Sequence, residues 1–166
     1  VTHHWSNHER KGFDVYQQLD ELLAANELKD VEFRLIGRWP ESIQWKKTFT
    51  MSPATGVQLA NQLRECHTYL TASRWEPCGM HHVEGAQCGL PLLYHEDGGG
   101  IVEAGKRYGV SFRENISTAI HQCRENYKEL RAQVLKQMPD GDVMCMAYER
   151  ILCQLIVHQR ESLASP

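Results

Sequence analysis

The chain has 166 residues, of which 42% are hydrophobic and 23% charged, with 18 basic residues against 21 acidic ones. A net charge of −3 excludes the basic footprint of a nucleic-acid binder. A mean hydropathy of −0.50, with no run near the ~18 apolar residues of a membrane span, excludes a transmembrane segment.

This length makes one domain, residues 1–166, with a core that needs no metal or disulfide staple. The opening VTHHWSNHERKG has neither the basic nor the apolar region of a signal peptide. Residues 1–5 read as a first strand and 6–11 as a polar loop. Phe13, Tyr16, Leu19, Leu22 and Leu23 recur at helical spacing, which predicts an amphipathic helix over 12–25. Residues 31–36, ending at Gly37, predict a second strand, and 45–51 hold a short third one. A helix over 56–65 and a strand over 67–71 follow. A helix over 79–87 then leads into the apolar run 90–94.

The turn Gly98-Gly99-Gly100 opens a helix to about residue 107, and Val110-Ser111-Phe112 closes the strand series. Two helices are expected after it. Ile116, Ile120, Cys123, Tyr127, Leu130 and Val134 share one face of the first. The second starts after a break at Pro139-Asp140-Gly141, and Met144, Cys145 and Met146 near Cys153 read as core. Strand–helix alternation of this kind predicts an α/β fold, a Rossmann-like three-layer α/β/α arrangement with a parallel sheet. Ligands of such folds sit beyond the carboxyl ends of the strands, so function is sought in those loops.

Six cysteines, three of them in helical patterns, read as reduced thiols and imply a reducing, cytoplasmic compartment. The loop after the first strand has no G-x-G-x-x-G. It offers His3, His4, Asn7, His8, Arg10 and Lys11 at a helix start, where an anion is favoured. A solvated surface lysine is the plainer reading of Lys11 taken alone. The richest segment is 73–91. Pro77 suits a first helical turn, and Gly79 leaves room for close backbone approach. Glu76 falls before the helix and Glu84 in its second turn. A carboxylate accepts two hydrogen bonds in one plane, which suits adjacent sugar hydroxyls. Such glutamates equally serve as dipole partners or solvated residues. Nine histidines invite a metal, but none shows C-x-x-C or H-E-x-x-H spacing, so neither metal nor cofactor is expected.

Glu76-Pro77-Cys78-Gly79 through Glu84-Gly85-Ala86, then Cys88-Gly89-Leu90-Pro91 and a Gly-Gly turn followed by Glu103, make one ordered pattern. It resembles the E-P-x-G-x-x-x-x-E-A…G-x-P…G-G…E signature of retaining glycosyltransferases with the GT-B fold. The glycogen-synthase-like and mannosyltransferase-like families share that signature. Lys11-Gly12-Phe13-Asp14 is similar to the K-G-x-D segment that opens their carboxyl-terminal, donor-binding domain, and the likeness spans residues 1–112. It implies that Glu76 binds the transferred sugar and that Gly79, Met80 and His81 present N–H groups to sugar and diphosphate. It also implies that Glu84 grips the ribose, that Lys11 neutralises the leaving diphosphate, and that Gly37, Arg38, Phe49, Thr50 and Met51 flank the base.

Three departures stand out. The family's arginine before the lysine is missing from His3-His4-Trp5-Ser6-Asn7, with Asn7 and Arg10 as substitutes. Gly85 replaces the alanine after the second glutamate, and the glycine turn is one residue longer. The resemblance implies a nucleotide-sugar-dependent hexosyltransferase of polysaccharide biosynthesis. Its glycan or lipid-linked acceptor would be held by an amino-terminal domain outside this chain, the whole enzyme being peripheral at a membrane. The alternatives are a nucleotide-sugar epimerase or phosphorylase-like relative, or a non-catalytic nucleotide-binding module.

Overall fold

The computed structural model describes residues 1–138 and 140–164, with side chains through residue 156. Pro139, at the expected helix break, lies outside the described residues. Strand β1 (Thr2–His4) pairs in parallel with β2 (Arg34–Gly37), which pairs with β3 (Phe49–Met51). A second parallel sheet runs β4 (Tyr69–Thr71), β5 (Leu92–His95) and β6 (Gly109–Phe112). The two meet edge to edge where the Leu70 N–H donates to the Val1 carbonyl at 2.7 Å. The strand order across both is therefore β3-β2-β1-β4-β5-β6, and the chain reverses its winding between β1 and β4. At such a switch point the loops on either side diverge and leave a crevice.

Six helices of the described residues flank the strands, α1 (Phe13–Ala24), α2 (Gly56–Arg64), α3 (His81–Gln87), α4 (Ile101–Tyr108), α5 (Ile116–Glu125) and α6 (Tyr127–Gln137), and a further helix, α7 (Gly141–Ala164), follows them. Strands such as Leu92–His95 are buried on both faces, as parallel strands between helical layers must be. On one face Phe13, Leu19, Leu35, Leu70, Ile116, Ala119 and Cys123 form a single cluster. On the other, Ile36, Leu59, Leu63, Tyr69, Ala86, Leu92, Ile101, Tyr108 and Val134 form a second. The expected three-layer arrangement is what the chain adopts.

Several local expectations are corrected. Residues 31–33 do not join the second strand, because β1 pairs with it only from Leu35 onward and β3 only from Arg34 onward. The helix expected over 116–134 is two helices, α5 and α6. Asn126 ends the first, turning its main-chain N–H and its side-chain amide back onto the Gln122 carbonyl. Helix α3 begins at His81, so Pro77 lies in the turn ahead of it and Glu84 falls in its first turn. The stripe of Met144, Cys145 and Met146 is not core. Every described side chain of α7 is exposed, including Val143, Ile151, Leu152 and Leu155. All six cysteines are free thiols, of which only Cys123 is fully buried.

Candidate functional site

The chain leaves β1 at His4 and makes a 3-10 turn over Glu9–Lys11 before α1. Gly12 joins the turn to the helix at φ +77°, where a Cβ would stand 2.2 Å from the Ala72 carbonyl oxygen. Only glycine meets both conditions. The close approach sets Lys11 against the end of β4, and its Nζ donates to Glu76 Oε2 at 2.7 Å. Both side chains are about one-fifth exposed, 22% and 20%. The pair is half withdrawn from water yet still reachable.

Glu76 owes its place to the glycine turn. The Trp75 N–H donates to the Asp97 carbonyl at 2.7 Å and the Gly100 N–H to the Glu76 carbonyl at 2.9 Å. Gly99 adopts φ +67° and bridges to Glu76, where a Cβ would lie 2.6 Å from the Glu76 carbonyl oxygen. Trp75 itself takes a left-handed φ of +53°, strain of the kind that concentrates at functional sites.

Beneath the loops lies a buried set of aromatic and imidazole rings. Tyr16 Oη accepts the Ala72 N–H at 3.0 Å and lies 2.9 Å from His4 Nε2. His81 Nε2 sits 3.1 Å from Thr71 Oγ1, and its ring lies edge-on to those of His3 and His4. Burial drives the His4 pKa down to about 3, helped by nearby Lys11. Burial also holds His81 well below the ordinary imidazole value and lowers His82. His3 is lowered too, by burial, against the opposing pull of Glu84. These rings are neutral at pH 7, so Lys11 carries the positive charge here. Two further buried atoms, Ser73 Oγ and His82 Nδ1, have no hydrogen-bond partner among the described residues.

The remaining expected site residues divide. Glu84 reaches across from α3 to His3 in the middle of β1, with Nε2 to Oε2 at 2.8 Å. The main-chain N–H groups of Gly79, Met80 and His81 donate to no backbone acceptor among the described residues. Gly37 ends β2 directly on His4, and the Arg38 N–H donates to the His4 carbonyl at 2.9 Å. Met51 is at the same end of β3, level with Ile36, but Phe49 is level with Arg34 at the far end and packs on its guanidinium. Thr50 lies between them. Phe49 therefore does not join the group.

Asn7 and Arg10 line a separate cavity of about 580 Å³ with Asp14, Ser42 and Trp75. The Arg10 guanidinium lies over the Trp75 ring at 5.9 Å rather than beside Lys11. A second cavity of about 600 Å³, lined by Val1, Arg34, Cys66, Thr68 and Cys123, opens at the opposite, amino-terminal edge of the strands. Sequence reasoning assigned Tyr16 and Tyr69 no part in the site, and it placed His3 and His4 in the first strand without showing that their side chains are buried beneath it. A polar pair inside a strand that is buried throughout was the available signal. Among the described residues no group of three His, Cys, Asp or Glu is placed to hold a metal ion.

No family profile matches the chain. It is 25% identical over 181 aligned positions to the glycogen synthases of two Streptococcus agalactiae strains, across 89% of this chain and 36% of theirs. The chain thus spans about a third of the length of those relatives. Among solved structures, a sucrose-phosphate synthase from Thermosynechococcus elongatus aligns with a TM-score of 0.69 at 14% identity, over 94% of this chain and 45% of that one. HepE from Anabaena, solved with UDP, aligns at 0.66 and 17%, over 92% and 48%.

The chain has a glycosyltransferase-like fold. Within this GT-B-type, Rossmann-like domain, Lys11, Glu76, Glu84 and the α3 approach converge at the β1–β4 switch point. The cavity at the amino-terminal edge of the strands plays no part in that convergence.

Proposed function

We propose that this domain binds the nucleotide-sugar donor of a retaining glycosyltransferase that moves a hexosyl unit to a glycan or lipid-linked acceptor. The observation that carries the reading is the meeting of Lys11 and Glu76 at the switch point, with Glu84 reaching back to β1 beside them. A ribose-binding carboxylate, a cation and a sugar-binding carboxylate are what the ribose, diphosphate and sugar of such a donor require, and Glu84, Lys11 and Glu76 are suited to those three tasks. Glu76 accepts hydrogen bonds from hydroxyls of the transferred sugar. Lys11, already held by Glu76, turns its charge to the diphosphate, whose negative charge grows as the glycosidic bond breaks. The free N–H groups of Gly79, Met80 and His81 add neutral donors to the same oxygens. Glu84 accepts from the ribose, and Gly37, Arg38 and Met51 border the base. The diphosphate is met by Lys11 and the N–H groups without a metal, and Asn7 and Arg10 do not replace the missing arginine at Lys11.

The similarity to glycogen synthases over the whole sheet supports the transferase reading. Since those relatives are nearly three times as long as the matched part, an acceptor-binding domain belongs to the proposal as a partner of this one. The isolated chain then binds nucleotide without efficient transfer. Calorimetric titration with UDP, GDP, dTDP and ADP tests this, and saturable heat with at least one of them is expected. A folded chain that gives no heat with any of the four overturns the site.

A further inference from the structure

Glu84 does not stand alone in solvent. Its side chain is 46% exposed, yet Oε2 is held at 2.8 Å by Nε2 of His3, a residue only 3% exposed. The other imidazole nitrogen, Nδ1, lies 3.0 Å from the Tyr69 hydroxyl, which is wholly buried and accepts the His3 main-chain N–H at 3.2 Å. The Tyr69 hydroxyl lies 3.0 Å from Nδ1 and 3.5 Å from the His3 carbonyl, so Nδ1 is the nearer of its two acceptors. The Glu84 carboxylate only accepts, so Nε2 carries the imidazole proton. Nδ1 is then the acceptor, and the Tyr69 O–H donates to it. Tyr69 thereby selects the tautomer that His3 needs to hold Glu84. Oε1 of Glu84 has no hydrogen bond among the described residues.

We propose that the buried chain Tyr69–His3–Glu84 is a ribose reader: it holds the Glu84 carboxylate in one rotamer so that both ribose hydroxyls are required, and the site selects ribonucleoside diphosphates over their 2′-deoxy counterparts. The proposal rests on the donor-binding reading and adds to it the anchoring of Glu84 by His3 and Tyr69 and the discrimination against a 2′-deoxy sugar that this anchoring produces. A glutamate with three free torsions on a short helix would follow whatever hydroxyl arrived. One anchored at Oε2 presents its remaining lone pairs in a fixed plane, which a 3′-hydroxyl alone fills only in part. His3 is a positioning residue, and its neighbours Tyr69, Glu84 and His81 surround its ring.

The test compares UDP, ADP and GDP with their 2′-deoxy forms on the full chain, by calorimetry. Whichever base binds, the ribo form is expected to bind about tenfold or more tighter than the deoxy form, the worth of a hydrogen bond to a charged group. His3→Leu is expected to collapse that ratio toward one. His3→Gln, whose amide N–H reaches the place of Nε2, is expected to restore it. A merely structural His3 would lower both affinities and leave the ratio intact, which overturns the proposal. Equal binding of ribo and deoxy forms by the unaltered chain also overturns it while leaving the donor site standing. No binding of any nucleoside diphosphate removes the donor reading itself. Independent of any variant, ¹⁵N spectra of the full chain at pH 7 are expected to show His3 as the neutral Nε2–H tautomer. The Nδ1–H tautomer or a charged ring contradicts the chain.

Discussion

Tyr16 shows how much one buried hydroxyl can organise. Its oxygen accepts the Ala72 N–H, lies within hydrogen-bond reach of His4 Nε2, and is 3.3 Å from Thr2 Oγ1, so a single atom joins α1, β1 and the end of β4. Burial pushes its pKa up to about 12, so it stays a neutral donor. Tyr16→Phe keeps the ring and strands those partners. A loss of about 1–3 kcal/mol, the cost of buried polar groups left unpaired, is expected in urea unfolding. The imidazoles beneath the loops set the acid limit of the fold. Their folded-state values lie below the ordinary 6.5, so the unfolded chain binds protons that the native one refuses. Stability is therefore complete above pH 6.5 and falls as pH drops, with His4 alone withdrawing about 1.4 kcal/mol per pH unit until about pH 3. Unfolding midpoints measured at pH 7.5, 6 and 5 should fall in that order. Unchanged midpoints would mean that these rings are charged or solvated.

At the scale of elements, the period of the apolar residues was legible and the ends were not. The 3.6-residue recurrence of Phe13, Tyr16 and Leu19 placed α1 to within a residue. The β2 boundary depended on where β1 and β3 offer partners, which no local pattern carries. Asn126 split an apparently continuous helical stripe through a side-chain bond that periodicity does not register. The order of strand-end motifs singled out Lys11, Glu76 and Glu84 as candidates, and the contact of Lys11 with Glu76 is present in the fold. The buried anchoring of Glu84 by His3 was hidden, because it joins residues 81 positions apart. The turn between β1 and α1 tolerates no side chain at Gly12. Gly12→Ala introduces a left-handed alanine and a clash with the Ala72 backbone, so a loss of roughly 2 kcal/mol or more is expected. Thermal unfolding measures it, and a neutral result would mean that the turn is free to move away from β4.

At the scale of the whole molecule, low net charge and a local site belong together. A chain of net charge −3 has no broad basic field, and the described crevice concentrates its positive charge in Lys11 and its N–H donors. Helix α7 keeps its described apolar side chains exposed while the rest of the fold is fully layered, and no helix of the described residues is long and apolar enough to cross a membrane. What the proposed site requires is a division of tasks between two carboxylates at one switch point, one for the ribose and one for the transferred sugar. It is tested most directly by titrating a nucleoside diphosphate, which lacks the sugar, into Glu84→Ala and Glu76→Ala. Glu84→Ala is expected to weaken binding by about tenfold or more and Glu76→Ala by much less. Equal indifference of both variants, or the reverse order, would contradict it.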